Sequence, residues 1–253
     1  MKITLLGTSH GDPTKTRFNT SSLIEEKGHY YLIDAGECAT ASLIRMDLWP
    51  EMIEGVFITH MHLDHTGGLP MILEQGLKRR RRFPEIDPAI LLPDPDAENF
   101  LRQWLKVNHV KEENLHRISS FQTGEIFNDG IIKVESFPTS HIQKDPAKPD
   151  AGSYGFQITA GDKKVFFTGD LSPDFSDFPS AAADGCDALV CELVHFTPES
   201  AYERLVKLDL GRLVFTHLGN PWQEPENQVK LTEMYKTIGY PMTIGYDGFQ
   251  FTV

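Results

Sequence analysis

Seven consecutive residues, 59–65, constrain this chain more than any other feature, because four of them carry side chains that bind metals. The four are His60, His62, Asp64 and His65. A single helix face cannot present all four, because residues two apart do not face each other on a helix. In extended chain, however, residues two apart project to one side. We therefore expect His60 and His62 to face one centre, and Asp64 and His65 to face a second centre nearby.

The sequence around this cluster predicts where it lies. Residues 55–58 form a short apolar run typical of a strand, and residues 66–68 predict a turn into a helix that begins near Leu69. Neutral imidazole and carboxylate are the ligands that borderline metals such as zinc accept. The sequence therefore predicts a metal site where a strand ends.

Composition restricts the partners. The chain has 253 residues without a linker-like stretch, and we expect one domain, 1–253. A net charge of −12 argues against broad attraction to nucleic acid or to an anionic membrane. One basic cluster, residues 78–82, is either a solvated helix end favoured by the helix dipole or a docking site for phosphate or an acidic substrate.

Cysteine content and hydropathy predict the compartment. The three cysteines are an odd number without paired spacing, which suits a reducing environment. No apolar run approaches the roughly 18 residues of a membrane span, and the first strand is too short for a signal sequence. We expect a cytoplasmic protein without a membrane partner.

The order of predicted elements indicates an α/β fold. Apolar runs and turn signals predict two blocks of strands, each flanked by helices, which indicates two sheets packed together with helices outside. The predicted strands are 2–6, 21–26, 30–33, 55–58, 131–137, 155–159, 164–168, 188–191, 213–216 and 249–253, and the predicted helices are 35–47, 69–81, 99–107, 198–207 and 223–237.

Three further predicted strands end in a possible ligand. His141 follows the strand at 131–137 through a short polar turn, Asp170 follows the strand at 164–168 through one glycine, and His217 directly follows the strand at 213–216. Loops at strand ends are where folds commonly place chemistry. Because a site with two metals needs more than four ligands, these residues extend the predicted site.

With these residues in this order, and Asp34 after the strand at 30–33, the chain resembles the metallo-β-lactamase superfamily of metal-dependent hydrolases. The resemblance implies a four-layer αβ/βα sandwich with two divalent metal ions at one edge, Zn²⁺ first and Mn²⁺ or Fe as alternatives. It also implies a ligand assignment: His60, His62 and His141 for one ion, Asp64, His65 and His217 for the other, and Asp170 between the two. Asp34 would orient a ligand, or alternatively cap the following segment as an Asx turn.

Residues 6–13 and 153–156 resemble the ribonuclease Z branch of that superfamily. Two departures are evident. The branch carries a long tRNA-gripping arm before its bridging aspartate, whereas residues 159–169 here predict a tight hairpin. The branch also carries a His-Glu-Ala-Thr motif whose histidine is replaced here by Cys191, although His195 lies four residues further on. The missing arm and the acidic charge favour a substrate smaller than tRNA.

The expected function is that of a binuclear phosphodiesterase, in which a metal-bridging hydroxide attacks a small or short phosphodiester. Asp64 would help to hold or deprotonate the water, and Glu192 or His195 would protonate the leaving group, unless these two form only a structural pair. The alternatives are a lactone or thioester hydrolase on the same site, or a metal-binding protein without catalysis. Related ribonuclease Z proteins are dimeric, so a homodimer is also an expectation.

Overall fold

The computed structural model describes residues 1–78, 82–114, 117–142 and 152–253 of the chain. Within these residues, two seven-stranded sheets pack face to face, and helices cover the outer face of each. The predicted four-layer αβ/βα sandwich is therefore confirmed.

The first sheet has the strand order β14-β1-β2-β3-β4-β5-β6. Its strands are β1 (Lys2–Gly7), β2 (Ser21–Glu26), β3 (His29–Ile33), β4 (Ile53–Phe57), β5 (Ala89–Leu92), β6 (Ile118–Ser120) and β14 (Gln250–Thr252). Pairing is antiparallel from β14 to β3 and parallel from β3 to β6.

The second sheet mirrors this arrangement, with the order β13-β12-β11-β10-β9-β8-β7. Its strands are β7 (Gly124–Asn128), β8 (Lys133–Thr139), β9 (Ser153–Ala160), β10 (Lys163–Phe167), β11 (Ala188–Leu193), β12 (Leu213–Leu218) and β13 (Met242–Ile244). Pairing is antiparallel from β7 to β10 and parallel from β10 to β13. A two-residue turn at residues 161–162 joins β9 to β10, as the sequence predicts.

The helices of the described residues are α1 (Ala39–Arg45), α2 (Leu63–Thr66), α3 (Leu69–Lys78), α4 (Pro95–Val107), α5 (Ser180–Ala183), α6 (Pro198–Leu205), α7 (Asn220–Gln223) and α8 (Pro225–Met234). Short 3₁₀ turns occupy Pro50–Met52, Glu112–Asn114 and Tyr235–Thr237. Helices α1, α3 and α4 cover the first sheet, whereas α5, α6 and α8 cover the second. Within the described part of the chain, none of these helices combines the length and apolarity needed to cross a bilayer.

The central strands are buried on both faces. In β12, Val214 faces the layer between the sheets, while Leu213 and Phe215 face the helices. Phe57 and Phe156 both lie in the layer between the sheets and are fully buried. Each such side chain stabilises the fold by about 1.5–3 kcal/mol relative to an exposed one. Burial on two faces explains why these strands read as continuous apolar runs.

Several predicted boundaries were wrong for local reasons. The helix predicted at 35–47 begins at Ala39 because Cys38 is left-handed, with φ 71°. The helix predicted at 99–107 begins at Pro95, where the Asp94 carboxylate caps the backbone N–H of Asp96. The helix predicted at 223–237 is broken before Pro225, which begins α8.

The predicted ligands lie at one edge of the sandwich. The strands β3, β4, β8, β10, β11 and β12 all direct their carboxyl ends toward it. These ends lead into the segments that carry the predicted ligands. The topology therefore brings residues that are far apart in sequence to one place.

Candidate metal centre

Three groups of possible ligand side chains meet at this edge. The first contains His60, His62, His141 and Asp170, the second contains Asp64, His65 and His217, and a third, which shares residues with both, contains Asp170, His195 and His217. Within each group, one ligand atom per residue lies within 4.8 Å of all the others. The structure therefore brings together all seven side chains that the sequence predicts as ligands.

The first group is compact. Nδ1 of His62 lies 3.0 Å from Nε2 of His60 and 3.1 Å from Nε2 of His141. Oδ2 of Asp170 lies 3.5 Å from Nε2 of His60 and 3.6 Å from Nε2 of His141. Bonds of 2.0–2.1 Å to a tetrahedral ion place its ligand atoms about 3.3 Å apart. The observed separations suit one ion.

The second group lies on the other side of the same aspartate. Oδ1 of Asp170 is 3.4 Å from Nε2 of His65 and 3.4 Å from Nε2 of His217. Oδ2 of Asp64 is 3.7 Å from each of these nitrogens. The two carboxylate oxygens of Asp170 therefore face different ligand groups.

Three buried atoms of the ligand side chains have no hydrogen-bond partner among the described residues: Nε2 of His65, Oδ1 of Asp170 and Nδ1 of His217. The first two face the centre, 3.4 Å apart. Buried polar atoms without partners are rare, and each needs an explanation. A cation in contact with both would provide one, so the residues present fit a metal ion.

Burial and charge set the protonation states that a ligand needs. Burial holds the pKa of His60 well below its usual value and lowers that of His141, so both rings tend to be neutral. For Asp170, burial alone would raise the pKa, but the neighbouring histidines His217 and His65 outweigh it and hold it well below its usual value. The first ligand group thus contains an ionised carboxylate beside two imidazoles, those of His60 and His141, whose pKa values are lowered.

Asp34 orients one of the ligands. Its Oδ2 accepts a hydrogen bond of 2.8 Å from Nδ1 of His65, which leaves Nε2 directed at the centre. Burial lowers the pKa of His65, but the carboxylates of Asp170 and Asp34 outweigh burial and hold that pKa well above its usual value. The Asp34 side chain contacts Thr59 and His65, whereas the N–H of Gly36, two residues on, donates to Thr20. The contacts are those of an orienting residue.

Thr59 is a residue that the sequence analysis did not single out. Its hydroxyl lies 2.9 Å from Oδ2 of Asp34 and 3.1 Å from Nδ1 of His60. Its backbone N–H also donates to Oδ1 of Asp34, at 2.8 Å. Thr59 therefore contacts His60 of the first ligand group directly and is linked to His65 of the second through Asp34. Its only sequence signal is its place immediately before His60.

Glu192 and His195 form a second oriented pair. The Glu192 carboxylate is buried and accepts backbone N–H bonds from Leu171, Val194 and His195. Its Oε1 also lies 2.9 Å from Nδ1 of His195. The other ring nitrogen, Nε2, lies 3.8 Å from Oδ2 of Asp170, at the centre.

The pKa of His195 reflects this pair. Burial acts to lower it, but the hydrogen bond and charge of Glu192 outweigh burial and raise it. Cys191, which stands where the ribonuclease Z motif has histidine, is fully buried in β11. His195 thus places an imidazole near the centre, although it lies four residues after the position of the motif's histidine.

The backbone is strained at the centre. His217 adopts a left-handed conformation with φ 50°, and such conformations in residues other than glycine persist where the surroundings impose them. Gly169, before Asp170, has φ 57°, and an added Cβ would lie 2.4 Å from the carbonyl oxygen of Tyr154. Only glycine fits there.

The loop after β1 and the basic cluster at residues 78–82 say little about the site. Nε2 of His10 lies 3.0 Å from Oδ1 of Asn220, and Gly11 approaches Asp64. Residues 79–81 of the basic cluster lie outside the described residues. At its end, Arg82 stacks over the ring of Trp49 at 4.3 Å.

Curated proteins related to this chain in sequence include ribonucleases. The chain is 30% identical to a ribonuclease Z from Picosynechococcus sp. over 167 residues, which cover 64% of this chain and 48% of that protein. It is 30% identical to a ribonuclease BN from Escherichia coli O1:K1 / APEC over 64% of this chain and 51% of that protein. The chain therefore spans about half the length of the curated relatives that it matches.

Solved structures share the whole fold. The metallo-β-lactamase fold protein YhfI from Bacillus subtilis superposes with a TM-score of 0.77 at 20% identity, covering 99% of this chain and 98% of that one. The short form of human tRNase Z gives 0.72 at 20% identity and covers 100% and 99%. The predicted resemblance to ribonuclease Z-like proteins of the metallo-β-lactamase superfamily is thus confirmed.

A family model matches most of the chain. The model is described as Anti-Pycsar protein Apyc1, and the match runs over residues 1–211. It includes all of β1 to β11 and each predicted ligand except His217. The chain therefore belongs to the Anti-Pycsar protein Apyc1 family, on a metallo-β-lactamase fold.

Proposed function

We propose that this protein is a binuclear metal-dependent phosphodiesterase that acts on a small or short phosphodiester. The observation that carries the proposal is the position of Asp170, whose two oxygens face separate groups of ligand atoms. Histidine and carboxylate ligands accept Zn²⁺, which is our first choice, with Mn²⁺ or Fe as alternatives. Ribonucleases Z among the relatives support hydrolysis of a phosphodiester.

Two bound ions would supply Lewis acidity and a water of lowered pKa, as in other two-metal hydrolases. His60, His62 and His141 would hold one ion, and Asp64, His65 and His217 the other. Asp170 would contact both. The protein's own contribution is to fix these groups at one edge of the sandwich, so that a phosphodiester reaches them in one orientation.

His195 is our candidate for the proton donor to the leaving group. Its Nδ1 is held by Glu192, so the ring cannot turn, and its Nε2 faces the centre. The raised pKa of His195 favours a proton on that nitrogen. Because Glu192 already accepts three backbone N–H bonds, we assign it the orienting role and His195 the transfer itself.

The proposed substrate is smaller than tRNA. The segment between β9 and β10, where the ribonuclease Z branch carries its arm, is a two-residue turn. The chain's net charge of −12 also disfavours a long polyanion. We propose a cytoplasmic location, which is supported by three free cysteines, Cys38, Cys186 and Cys191.

A substrate panel tests this function. Metal-loaded protein is assayed against bis(p-nitrophenyl) phosphate, cyclic mononucleotides, short oligonucleotides, a tRNA precursor, lactones and thioesters. We expect turnover of the small phosphodiesters, abolished in Asp64→Ala and retained in Asp162→Ala, which alters an exposed carboxylate in the β9–β10 turn. Turnover of lactones or thioesters alone would instead indicate a carbonyl-ester hydrolase, and no turnover would indicate a binding protein.

We also propose that the protein is a homodimer that pairs through α4. This helix exposes Phe100, Trp104 and Val107, which share one face; their exposed fractions are 68, 48 and 73%. Its first turn is acidic and its last turn basic. Two copies related by a two-fold axis would place these ends against each other, with the apolar faces in contact.

Analytical ultracentrifugation tests this pairing. Trp104→Asp places a charge in the apolar face and should give a monomer. Val229→Asp is the matched control, because Val229 is 65% exposed on α8, over the other sheet. A dimer that survives Trp104→Asp, or a wild-type monomer, would contradict the proposed interface.

A further inference from the structure

His141 and Asp170 do not lie on neighbouring strands. They follow β8 and β10, which are separated in the sheet by β9. Neighbouring strands are about 4.8 Å apart, so these two ends are separated by roughly 10 Å. Yet Nε2 of His141 and Oδ2 of Asp170 are 3.6 Å apart. The two side chains therefore reach each other across the end of β9, and their meeting depends on how the two loops are held.

The carboxylate of Asp177 connects these loops. Its Oδ2 accepts a 2.5 Å hydrogen bond from the backbone N–H of Ser140, the residue before His141. Its Oδ1 accepts from the backbone N–H of Ser172 at 3.0 Å and from the Ser172 hydroxyl at 2.7 Å. Ser172 is two residues after Asp170, so one side chain fixes both backbones.

Other contacts support the same junction. The Thr139 hydroxyl donates to the backbone carbonyl of Asp170 at 2.9 Å, and the backbone N–H of Ile142 donates to the Ser153 hydroxyl at 3.1 Å. These bonds join neutral groups. The bonds to Asp177 involve a carboxylate, and hydrogen bonds to a charged group are roughly twice as strong as neutral ones.

We infer that Asp177 is a positioning residue, which sets His141 against Asp170 and so completes the first ligand group. The inference rests on the proposed metal centre and assigns Asp177 no contact with substrate. Its loss should fall on the first ligand group, because the bond to Ser140 acts on the loop of His141 alone. The Asp170 segment, which faces both groups, is also held by the Thr139 hydroxyl and, through Leu171, by Glu192.

Asp174 provides a matched control in the same loop. Its carboxylate accepts from the Ser172 hydroxyl at 2.7 Å and from the Ser176 N–H at 3.0 Å. Hydrogen bonds from Ser176 and Ser172 lower the pKa of Asp174 to about 2. It is as well bonded within the loop as Asp177, but the structure shows no bond from it to Ser140 among the described residues. Asp174→Ala therefore perturbs the loop without removing the hydrogen bond from Ser140 to Asp177.

The test measures metal binding by the full-length, metal-free protein, titrated with Co²⁺ and followed by visible absorbance. Wild type should bind two equivalents. Asp177→Ala should weaken one equivalent by about 10- to 100-fold, the usual effect of residues that support a ligand. The other equivalent and the melting temperature of the metal-free protein should match those of Asp174→Ala.

Asp177→Asn serves as the second variant, because it keeps the size and one acceptor oxygen. Its amide nitrogen must face one of the two loops, so it should weaken the same equivalent by less than Asp177→Ala does. Equal weakening of both equivalents, or the same loss in Asp174→Ala, would overturn the inference. The readout is separate from hydrolysis: the inference survives if the wild type binds two ions but hydrolyses nothing, whereas the proposed function does not.

Discussion

The two sheets supply the centre in different ways. The first sheet contributes His60, His62, Asp64 and His65 from six consecutive positions at the end of one strand. The second contributes single residues from separate strand ends, at His141, Asp170, His195 and His217. The first contribution depends on local chain geometry, and the second depends on the order of strands in a sheet.

The two contributions are also supported differently. Asp34 and Thr59 contact His65 and His60 of the first sheet within one buried hydrogen-bond network. In the second sheet, two carboxylates act separately: Glu192 holds His195, and Asp177 accepts hydrogen bonds from the loops of His141 and Asp170. A local cluster can share one support, whereas scattered ligands need several.

The largest effect should come from the one ligand that both groups share. Asp170→Asn keeps the shape but removes the charge that faces both groups. We expect loss of both metal equivalents and roughly a ten-thousandfold fall in kcat/KM, because several kcal/mol of transition-state stabilisation disappear. Metal analysis and steady-state kinetics measure this. If Asp170→Asn retained one equivalent at wild-type affinity, Asp170 would belong to one group only.

His195→Ala should separate catalysis from metal binding. We expect about a 10²- to 10³-fold fall in turnover of a phosphodiester with a poor leaving group, because proton donation is lost. Substrates that release p-nitrophenolate need little protonation and should lose much less. Metal content should not change. An equal loss for both kinds of leaving group would show that His195 acts in another way.

The two orienting carboxylates should differ in what they control. Asp34→Asn should weaken metal binding by about 10- to 100-fold, because His65 loses its orienting partner. Glu192→Gln should lower turnover of poor leaving groups and leave metal binding near wild type. Co²⁺ titration and leaving-group kinetics on both variants make the comparison. If Glu192→Gln weakened metal binding and Asp34→Asn lowered only turnover, His195 would itself be a metal ligand.

The smallest effect concerns Thr59, and it is an effect on stability. Thr59→Val keeps the shape but removes the hydroxyl near Asp34 and His60. We expect a loss of about 1–2 kcal/mol in the free energy of unfolding, measured by urea denaturation of the metal-free protein. Thr159→Val is the control, because the Thr159 hydroxyl is buried without a hydrogen-bond partner among the described residues. Thr159→Val should leave the free energy of unfolding unchanged.

The sequence predicted the site better than it predicted the supports. A spacing of two in extended chain indicates convergence without knowledge of the fold, so His60 and His62 were recognisable as a pair. The strand ends at His141, Asp170 and His217 were recognisable as candidates, and the family resemblance grouped them. Their convergence itself depends on strand order, which no local pattern contains.

The missed features follow from the same cause. Strands β5, β6, β7 and β13 were not predicted. The two shortest, β6 and β13, have three residues each and derive their structure from their neighbours, so their sequences predict little. Asp177 lies 36 positions after His141 in a loop of serines and aspartates, where its sequence suggests only a turn. The start of α4 was also missed, because the helix predicted at 99–107 begins at Pro95.

One measurement tests the central claim most directly: anomalous scattering from crystals of the metal-loaded protein. The claim is that one carboxylate from the second sheet joins ligands of both sheets into a single centre. We predict two metal peaks per chain, one among His60, His62 and His141 and one among Asp64, His65 and His217, with Asp170 in contact with both. A single peak, or two peaks of which Asp170 touches only one, would contradict the claim.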